Sequence, residues 1–335
     1  MSASTERPKL LVAAHHYFDI WSVPEWFAGR LQKDFPQVNV VDSASDAETN
    51  RQISDADAVI AWRLTPEAAR AAQKLRWLHS TSAAVNQLLY PEIVDGDVLL
   101  TNGSEVHGAA VAEHILALLL ALAKKLPEAA RFQQKHFWAQ QELYREPPRP
   151  KEIAGAVLGL IGLGHIGSET ARRALALGMR VIGLREHPER GGPEGVEKVF
   201  GPGDLQALLS ESDFVVLTAP VTLKTRNLMT AERIGQMKPD ARLINVGRGQ
   251  LIDETALIQA LRERRIAGAA LDVFVEEPLP PDSPLWDIEH VLITPHVAIN
   301  SEKQWERQYA LVAENLRRYL SQRPLLSVVD KKRGY

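Results

Sequence analysis

Residues 157–167 read VLGLIGLGHIG, an apolar run followed directly by a Gly-X-Gly-X-X-Gly turn. The run predicts a buried strand, and the residues after it have helical spacing from Ile166 onward. Gly162 permits a tight turn, Gly164 lets the backbone approach a pyrophosphate, and Gly167 allows a helix to pack closely on the strand. The helix N-terminus adds N–H donors for an anion. The stretch therefore predicts a dinucleotide-binding turn. Its predicted cofactor contacts are Gly162, Gly164, His165, Ile166 and Gly167.

Apolar runs alternate with helical patterns on both sides of this turn, which is typical of α/β folds with parallel sheets. A basic, proline-rich connector at residues 147–150 separates two such series. The predicted strands are residues 9–14, 58–62 and 77–80 before the connector, and residues 157–161, 180–184, 214–218, 242–245, 268–273 and 291–294 after it. A long apolar helix is predicted at residues 106–126, and burial between domains, between subunits or in one core would suit it equally. A closing helix is predicted at residues 301–320.

Composition excludes several classes of function. The chain has 335 residues, a formal net charge of -3 and no cysteine. The charge balance indicates neither nucleic acid nor an anionic membrane as a partner, and the absence of cysteine excludes disulfides and thiolate metal sites. The histidines lack metal-ligand spacing, so we expect no metal. We read no export signal in residues 1–9, and the apolar run at 115–123 is shorter than the ~20 residues that span a bilayer. We therefore expect a cytoplasmic protein.

The residue after the second strand of the nucleotide-binding series bears on the choice of cofactor. In an NAD-binding version an acidic residue there accepts a hydrogen bond from the ribose 2′-hydroxyl. Here the strand at 180–184 is followed by Arg185, whose several N–H donors suit a 2′-phosphate. Glu186, one residue further on, could take the acidic role. The sequence favours NADP and leaves NAD open.

Three segments carry side chains suited to chemistry, and each follows a predicted strand. They are NVGRG at residues 245–249, DVFVEEP at 272–278 and TPHVA at 294–298. The carboxyl ends of parallel strands form the ligand crevice of an open sheet. We therefore expect Arg248, Glu277 and His296 to converge there.

With these motifs the chain resembles the D-isomer-specific 2-hydroxyacid dehydrogenase family, which includes D-lactate, glyoxylate, hydroxypyruvate and phosphoglycerate dehydrogenases. The resemblance runs from residue 75 to residue 298 and includes VAEH at 111–114 and TAPVT at 218–222. It implies an oxidoreductase that reduces 2-keto acids to D-2-hydroxy acids with NAD(P)H, and the reverse.

The resemblance also assigns roles to individual residues. His296 is the natural general acid for the carbonyl oxygen, and Glu277 orients and stabilises its imidazolium. Arg248 grips the substrate carboxylate as a planar bidentate donor. Asp272 holds the nicotinamide carboxamide. The remaining implied cofactor contacts are Arg185, Ala219, Pro220, Thr225, Val246, Gly247 and Ala298.

The loop expected to bind the substrate carboxylate departs from the family pattern. It reads SAAVN at residues 82–86, where the family has a glycine-rich loop followed by Gly-Val-Asp. Backbone N–H groups of Ala83, Ala84 and Val85 could still bind a carboxylate. His107 and His114, on the long apolar helix, are expected only to cap or to pack.

The resemblance implies two Rossmann-like or flavodoxin-like domains with a cleft between them. The nucleotide-binding domain, residues 105–299, would be inserted into a discontinuous substrate-binding domain of residues 1–104 and 300–335. The segment at 132–144 suggests a dimerisation arm, hence a homodimer. Two alternatives stay open: a nucleotide-sensing, corepressor-like binding protein, and a formate dehydrogenase-like enzyme. The Glu277–His296 pair argues against the second, which has glutamine in place of Glu277.

Overall fold

The computed structural model describes residues 7–334, and the chain divides into two compact units. Residues 1–107 and 300–335 form what we call the terminal unit, and residues 108–299 form the central unit. Each is built on one parallel sheet, so the predicted α/β class with two parallel-sheet domains is confirmed. The assignment of substrate binding to one unit and cofactor binding to the other remains a prediction.

The terminal unit has a five-stranded sheet in the order β2-β1-β3-β4-β5, the flavodoxin-like arrangement. Its strands are β1 (Lys9–Val12), β2 (Asn39–Asp42), β3 (Ala58–Ala61), β4 (Trp77–Ser80) and β5 (Leu99–Asn102). Its helices are α1 (Trp26–Asp34), α2 (Asp46–Gln52), α3 (Pro66–Ala71), α4 (Pro91–Val94) and, from the end of the chain, α12 (Gln304–Leu320). The two edge strands, β2 and β5, were not predicted. Neither has the continuous apolar run of β3, since β2 contains no buried residue and β5 starts at an exposed leucine.

A buried polar network joins three elements of the terminal unit. His79 on β4 contacts Thr101 on β5 through Nδ1 at 2.8 Å and Gln308 on α12 through Nε2 at 2.7 Å. Trp77 donates its indole N–H to the same threonine at 2.9 Å. Burial, with a smaller contribution from the charge of His107, lowers the pKa of His79 to about 3, so the imidazole is neutral at physiological pH. The network fixes the strand ends from which the loop at 82–86 departs.

The central unit has a seven-stranded sheet in the order β12-β11-β10-β9-β6-β7-β8. Its strands are β6 (Val157–Ile161), β7 (Arg180–Leu184), β8 (Lys198–Phe200), β9 (Phe214–Leu217), β10 (Arg242–Asn245), β11 (Gly268–Leu271) and β12 (Val291–Ile293). Its helices are α6 (Leu126–Gln134), α7 (Gln140–Arg145), α8 (His165–Ala176), α9 (Leu205–Glu211), α10 (Ala231–Gly235) and α11 (Glu254–Arg262). The strand order reverses direction between β6 and β9, and ligands of open α/β sheets bind at such a switch point. The glycine-rich turn leaves β6 at this place.

The long apolar helix α5 (Ser104–Ala123) contains the boundary between the two units. Within the central unit its fully buried Ile115 and Leu119 pack with Leu158 of β6. Among residues 7–334, α5 is the one helix long and apolar enough to cross a bilayer, and it is longer than the apolar run at 115–123 alone. However, 61% of its most apolar stretch is buried inside the protein. A core helix meets the same criterion of length and composition, so the criterion is weak support for a membrane span.

Candidate active site

The glycine-rich turn has the shape that a dinucleotide requires. Gly162 has φ of +113°, and a Cβ atom there would lie 2.7 Å from the backbone nitrogen of Ala219. A Cβ atom on Gly167 would lie 2.0 Å from the carbonyl oxygen of Gly162, so helix α8 packs against the turn only because no side chain intervenes. At Gly164, directly before α8, a Cβ atom would meet nothing within 4 Å. The turn is closed on the protein side and open where a pyrophosphate would approach the helix N-terminus. It therefore fits a dinucleotide.

The loop after β9 lies against this turn, as the strand order requires. Thr218 donates its hydroxyl hydrogen to the carbonyl oxygen of Gly162 at 2.7 Å. Thr225 donates to the carbonyl oxygen of Pro220 at 2.6 Å and accepts from the N–H of Thr222 at 2.7 Å. The hydroxyl of Thr225 thus braces the loop that presents Ala219 and Pro220, and its predicted cofactor contact remains a prediction.

The charged residues after β7 bear on the choice between NADP and NAD, which the sequence left open. Arg185 donates from Nη1 to the carbonyl oxygen of Gly191 at 2.8 Å, which holds the side chain along its own loop. Glu186 forms an ion pair with Lys224 at 2.8 Å between Oε1 and Nζ. The charge of Glu186 is therefore compensated by a lysine from the loop after β9. Arg185 is the first charged side chain after the strand.

Glu277 and His296 form a hydrogen-bonded pair. Glu277 Oε2 lies 2.6 Å from His296 Nδ1, and Oε1 accepts from the backbone N–H of Phe274 at 2.9 Å. Burial pushes the pKa of Glu277 upward, but the hydrogen bond and charge of His296 and the Phe274 N–H outweigh it and hold that pKa below its usual value. Glu277 is therefore an ionised acceptor, which assigns a proton to Nδ1 of His296. Nε2 is then the nitrogen suited to proton exchange with a substrate.

Arg248 is brought to the same end of the sheet by a tight turn after β10. The buried Asn245 fixes this turn, because its side-chain amide donates to the carbonyl oxygen of Arg248 at 2.9 Å and its oxygen accepts from the N–H of Gly247 at 3.1 Å. A Cβ atom on Gly249 would lie 1.9 Å from the carbonyl carbon of Phe274, so the segment is in direct contact with the one that carries Glu277. Burial lowers the pKa of Arg248, and the charge of Glu277 opposes that shift.

Asp272 holds the turn that carries the histidine. Its carboxylate accepts from the hydroxyl of Thr294 at 2.6 Å and from the N–H groups of Val297 and Ala298 at 3.0 Å each. Burial pushes the pKa of Asp272 upward, but hydrogen bonds from His114, Thr294 and the two N–H groups hold it below its usual value. Most of the acceptor positions are thus used within the protein. The implied contact with the nicotinamide carboxamide remains a prediction.

The remaining predicted contacts lie in two places. Val246 and Ala298 are buried beside the turns just described, and Gly247 belongs to the Arg248 turn. The loop with Ala83, Ala84 and Val85 belongs to the terminal unit.

Side chains that sequence reasoning missed brace the loop at 82–86. Asn102 donates its side-chain amide hydrogen to the carbonyl oxygen of Ala83 at 2.8 Å. Gln87 donates to those of Trp62 at 2.7 Å and Ala84 at 3.3 Å. Within residues 7–334, no group of three or more His, Asp or Glu side chains could hold a metal ion.

Comparison with known proteins gives consistent similarities. A family model described as "D-isomer specific 2-hydroxyacid dehydrogenase, NAD binding domain" matches residues 116–298. A glyoxylate reductase of Korarchaeum cryptofilum is 36% identical over 272 residues, covering 79% of this chain and 80% of that protein. A D-3-phosphoglycerate dehydrogenase of Synechocystis is 34% identical over 305 residues, covering 90% of this chain. The chain spans only 53% of that second relative's length.

A solved structure shares almost the whole fold. The NADPH-dependent glyoxylate/hydroxypyruvate reductase of Sinorhizobium meliloti, in complex with NADP and sulfate, superposes with a TM-score of 0.82 at 28% identity. The superposition covers 98% of this chain and 100% of that one.

Proposed function

The chain belongs to the D-isomer specific 2-hydroxyacid dehydrogenase family, and from this premise we propose that it reduces 2-keto acids to D-2-hydroxy acids with NAD(P)H and catalyses the reverse reaction. The observation that carries the proposal is the 2.6 Å contact between Glu277 and His296, in the unit that also presents Arg248 and the dinucleotide turn. A planar cation for a carboxylate and a carboxylate-supported imidazole are the groups that this reduction needs.

The mechanism divides the work among three side chains. A nicotinamide cofactor, when bound along the turn at 162–167, supplies the hydride. Arg248 binds the substrate carboxylate and polarises the neighbouring carbonyl. His296 gives the proton on Nε2 to the carbonyl oxygen, and Glu277 stabilises the imidazolium before the transfer. In the oxidative direction His296 takes the proton back.

We propose a short 2-keto acid such as glyoxylate or hydroxypyruvate as substrate, supported by the similarity to the glyoxylate reductase of K. cryptofilum and to the glyoxylate/hydroxypyruvate reductase of S. meliloti. Purified protein is assayed for loss of absorbance at 340 nm with NADPH or NADH against glyoxylate, hydroxypyruvate, pyruvate and phenylpyruvate. We expect oxidation with one of the first two. Cofactor binding with no turnover of any of the four would instead favour a nucleotide-sensing binding protein.

We propose that NADP is preferred over NAD. Arg185 offers a cation where a 2′-phosphate would lie, and the ion pair with Lys224 compensates the charge of Glu186. The S. meliloti reductase, with 28% identity, was solved with NADP.

Arg185→Asp should reverse this preference. Losing one charge-assisted hydrogen bond to phosphate and adding a repelling carboxylate should weaken NADPH binding by roughly 10- to 100-fold relative to NADH. The dissociation constants are measured by calorimetry. Arg180→Asp makes the same charge change at the other end of β7, where Arg180 pairs with Glu197, and should leave the ratio unchanged. Equal ratios in the two variants would rule out the assigned role of Arg185.

We also propose that the chain forms a homodimer. The segment that follows α5 exposes large apolar side chains, with Phe137 50%, Trp138 87% and Tyr144 62% exposed, and such side chains are costly on a monomer surface. Sedimentation equilibrium should give twice the chain mass of 37.2 kDa.

We propose a cytoplasmic location as well, and fractionation of the host cell tests it.

A further inference from the structure

A histidine outside the proposed catalytic set lies behind the turn that carries His296. This residue is His114, on the part of α5 that belongs to the central unit. Its Nε2 is 3.1 Å from the hydroxyl oxygen of Thr294 and 3.5 Å from Oδ1 of Asp272. The side chain of Asp272 is 1% exposed and that of His114 is 20% exposed. The three side chains form one contiguous polar group beneath the turn.

The number of available hydrogens determines which atom donates and which accepts in each contact of this group. Asp272 has a lowered pKa and is ionised, so its oxygens only accept. Thr294 has a single hydroxyl hydrogen, and the 2.6 Å contact assigns it to Asp272. The oxygen of Thr294 must therefore accept at its other contact, which requires a hydrogen on Nε2 of His114. The chain of donors runs from His114 to Thr294 to Asp272.

Asp272 in turn determines the backbone around His296. The N–H of His296 donates to the carbonyl oxygen of Asp272 at 2.9 Å, and the next two N–H groups donate to its carboxylate. His296 itself has φ of +53°, a left-handed conformation that is uncommon for a residue with a side chain. Such a conformation persists when surrounding contacts over-determine it, and here three hydrogen bonds to one aspartate do so.

We propose that His114 is a positioning residue for the keto-acid reduction. Its Nε2–H orients the hydroxyl of Thr294, which fixes the carboxylate of Asp272, which holds the turn at 296–298 so that the imidazole of His296 meets Glu277. His114 contacts none of Arg248, Glu277 and His296 among the hydrogen bonds described above, so it acts through Thr294 and Asp272. The inference rests on the proposed function for its kinetic consequence, while the hydrogen-bond chain itself is measurable without turnover.

The first experiment is ¹⁵N NMR of the histidine imidazoles in the full-length protein with NADPH bound. The His114 signals are assigned by their loss in His114→Gln. We expect a hydrogen on Nε2 of His114, a shift of that signal in Thr294→Val but not in Thr294→Ser, and broadened or displaced His296 signals in Thr294→Val. An unprotonated Nε2, or His296 signals that are unaltered in Thr294→Val, would overturn the proposal.

The second experiment measures kcat, KM and the solvent isotope effect on kcat. His114→Phe should lower kcat roughly 10-fold with KM nearly unchanged and raise the solvent isotope effect, because proton transfer becomes slower than the other steps. His114→Gln keeps an N–H donor and should recover most of the rate. In the double variant that combines His114→Phe with Thr294→Val, the loss of kcat should stay near 10-fold instead of reaching about 100-fold. Both substitutions break the same chain of hydrogen bonds, so their effects should not multiply.

Losses that multiply, or a solvent isotope effect equal to that of the wild type, would contradict the positioning role. If His114→Phe does not fold, Thr294→Val gives the same kinetic test, with Thr294→Ser as the control that keeps the hydroxyl. If wild-type protein turns over no keto acid, the proposed function fails, and the NMR experiment still decides whether His114 positions His296.

Discussion

His296→Asn is expected to lower kcat for keto-acid reduction by roughly 10²- to 10⁴-fold, the usual loss when a general acid is removed. Asparagine is a sharper test than alanine because His296 has φ of +53°, and asparagine adopts the left-handed region more readily than most residues do. The variant therefore keeps the turn while removing the proton donor. The measurement is steady-state kcat at 340 nm with saturating keto acid, with the dissociation constant of NADPH as the control for an intact fold.

The partner carboxylate gives a second test of proton donation. The pKa of Glu277 is held below its usual value, so its carboxylate stays ionised and stabilises the imidazolium of His296. Glu277→Gln should therefore lower kcat for reduction, while the dissociation constant of NADPH stays near the wild-type value. A His296→Asn enzyme that keeps more than a tenth of wild-type kcat would refute the assignment.

The turns were more predictable than the side chains behind them. The turn at 162–167 was readable because glycine spacing, an apolar strand and a helix start are all local in sequence. Parallel strands then place Arg248, Glu277 and His296 at one end of the sheet, since each follows a strand.

The hydrogen-bond chain behind the site could not be read in this way. His114 and Thr294 are 180 positions apart, and nothing in the helical pattern of α5 distinguishes a histidine that packs from one that donates to a threonine. Asp272 illustrates the same limit. Family resemblance indicates a cofactor contact, which stays a prediction, and only the structure shows the hydrogen bonds that the carboxylate accepts from Thr294, Val297 and Ala298.

Arg248→Lys is expected to lower kcat/KM for a keto acid by roughly 10²- to 10³-fold, although the formal charge is kept. The guanidinium offers a fork of N–H donors to a carboxylate, and an ammonium replaces it with a point charge, so one or two charge-assisted hydrogen bonds of about 1.5–3 kcal/mol are lost. The site is also less favourable for lysine, because the burial that lowers the pKa of Arg248 would disfavour the charged form of an ammonium as well.

Two further measurements separate this loss of geometry from a loss of fold. Arg248→Ala should lose at least as much activity as Arg248→Lys and recover part of it when guanidinium is added in the assay, whereas ammonium at equal ionic strength should not restore it. NADPH binding should stay near the wild-type value in both variants, because the dinucleotide turn leaves β6 while Arg248 follows β10. Wild-type kcat/KM in Arg248→Lys would mean that charge alone is required at this position, and the bidentate role of Arg248 would have to be abandoned.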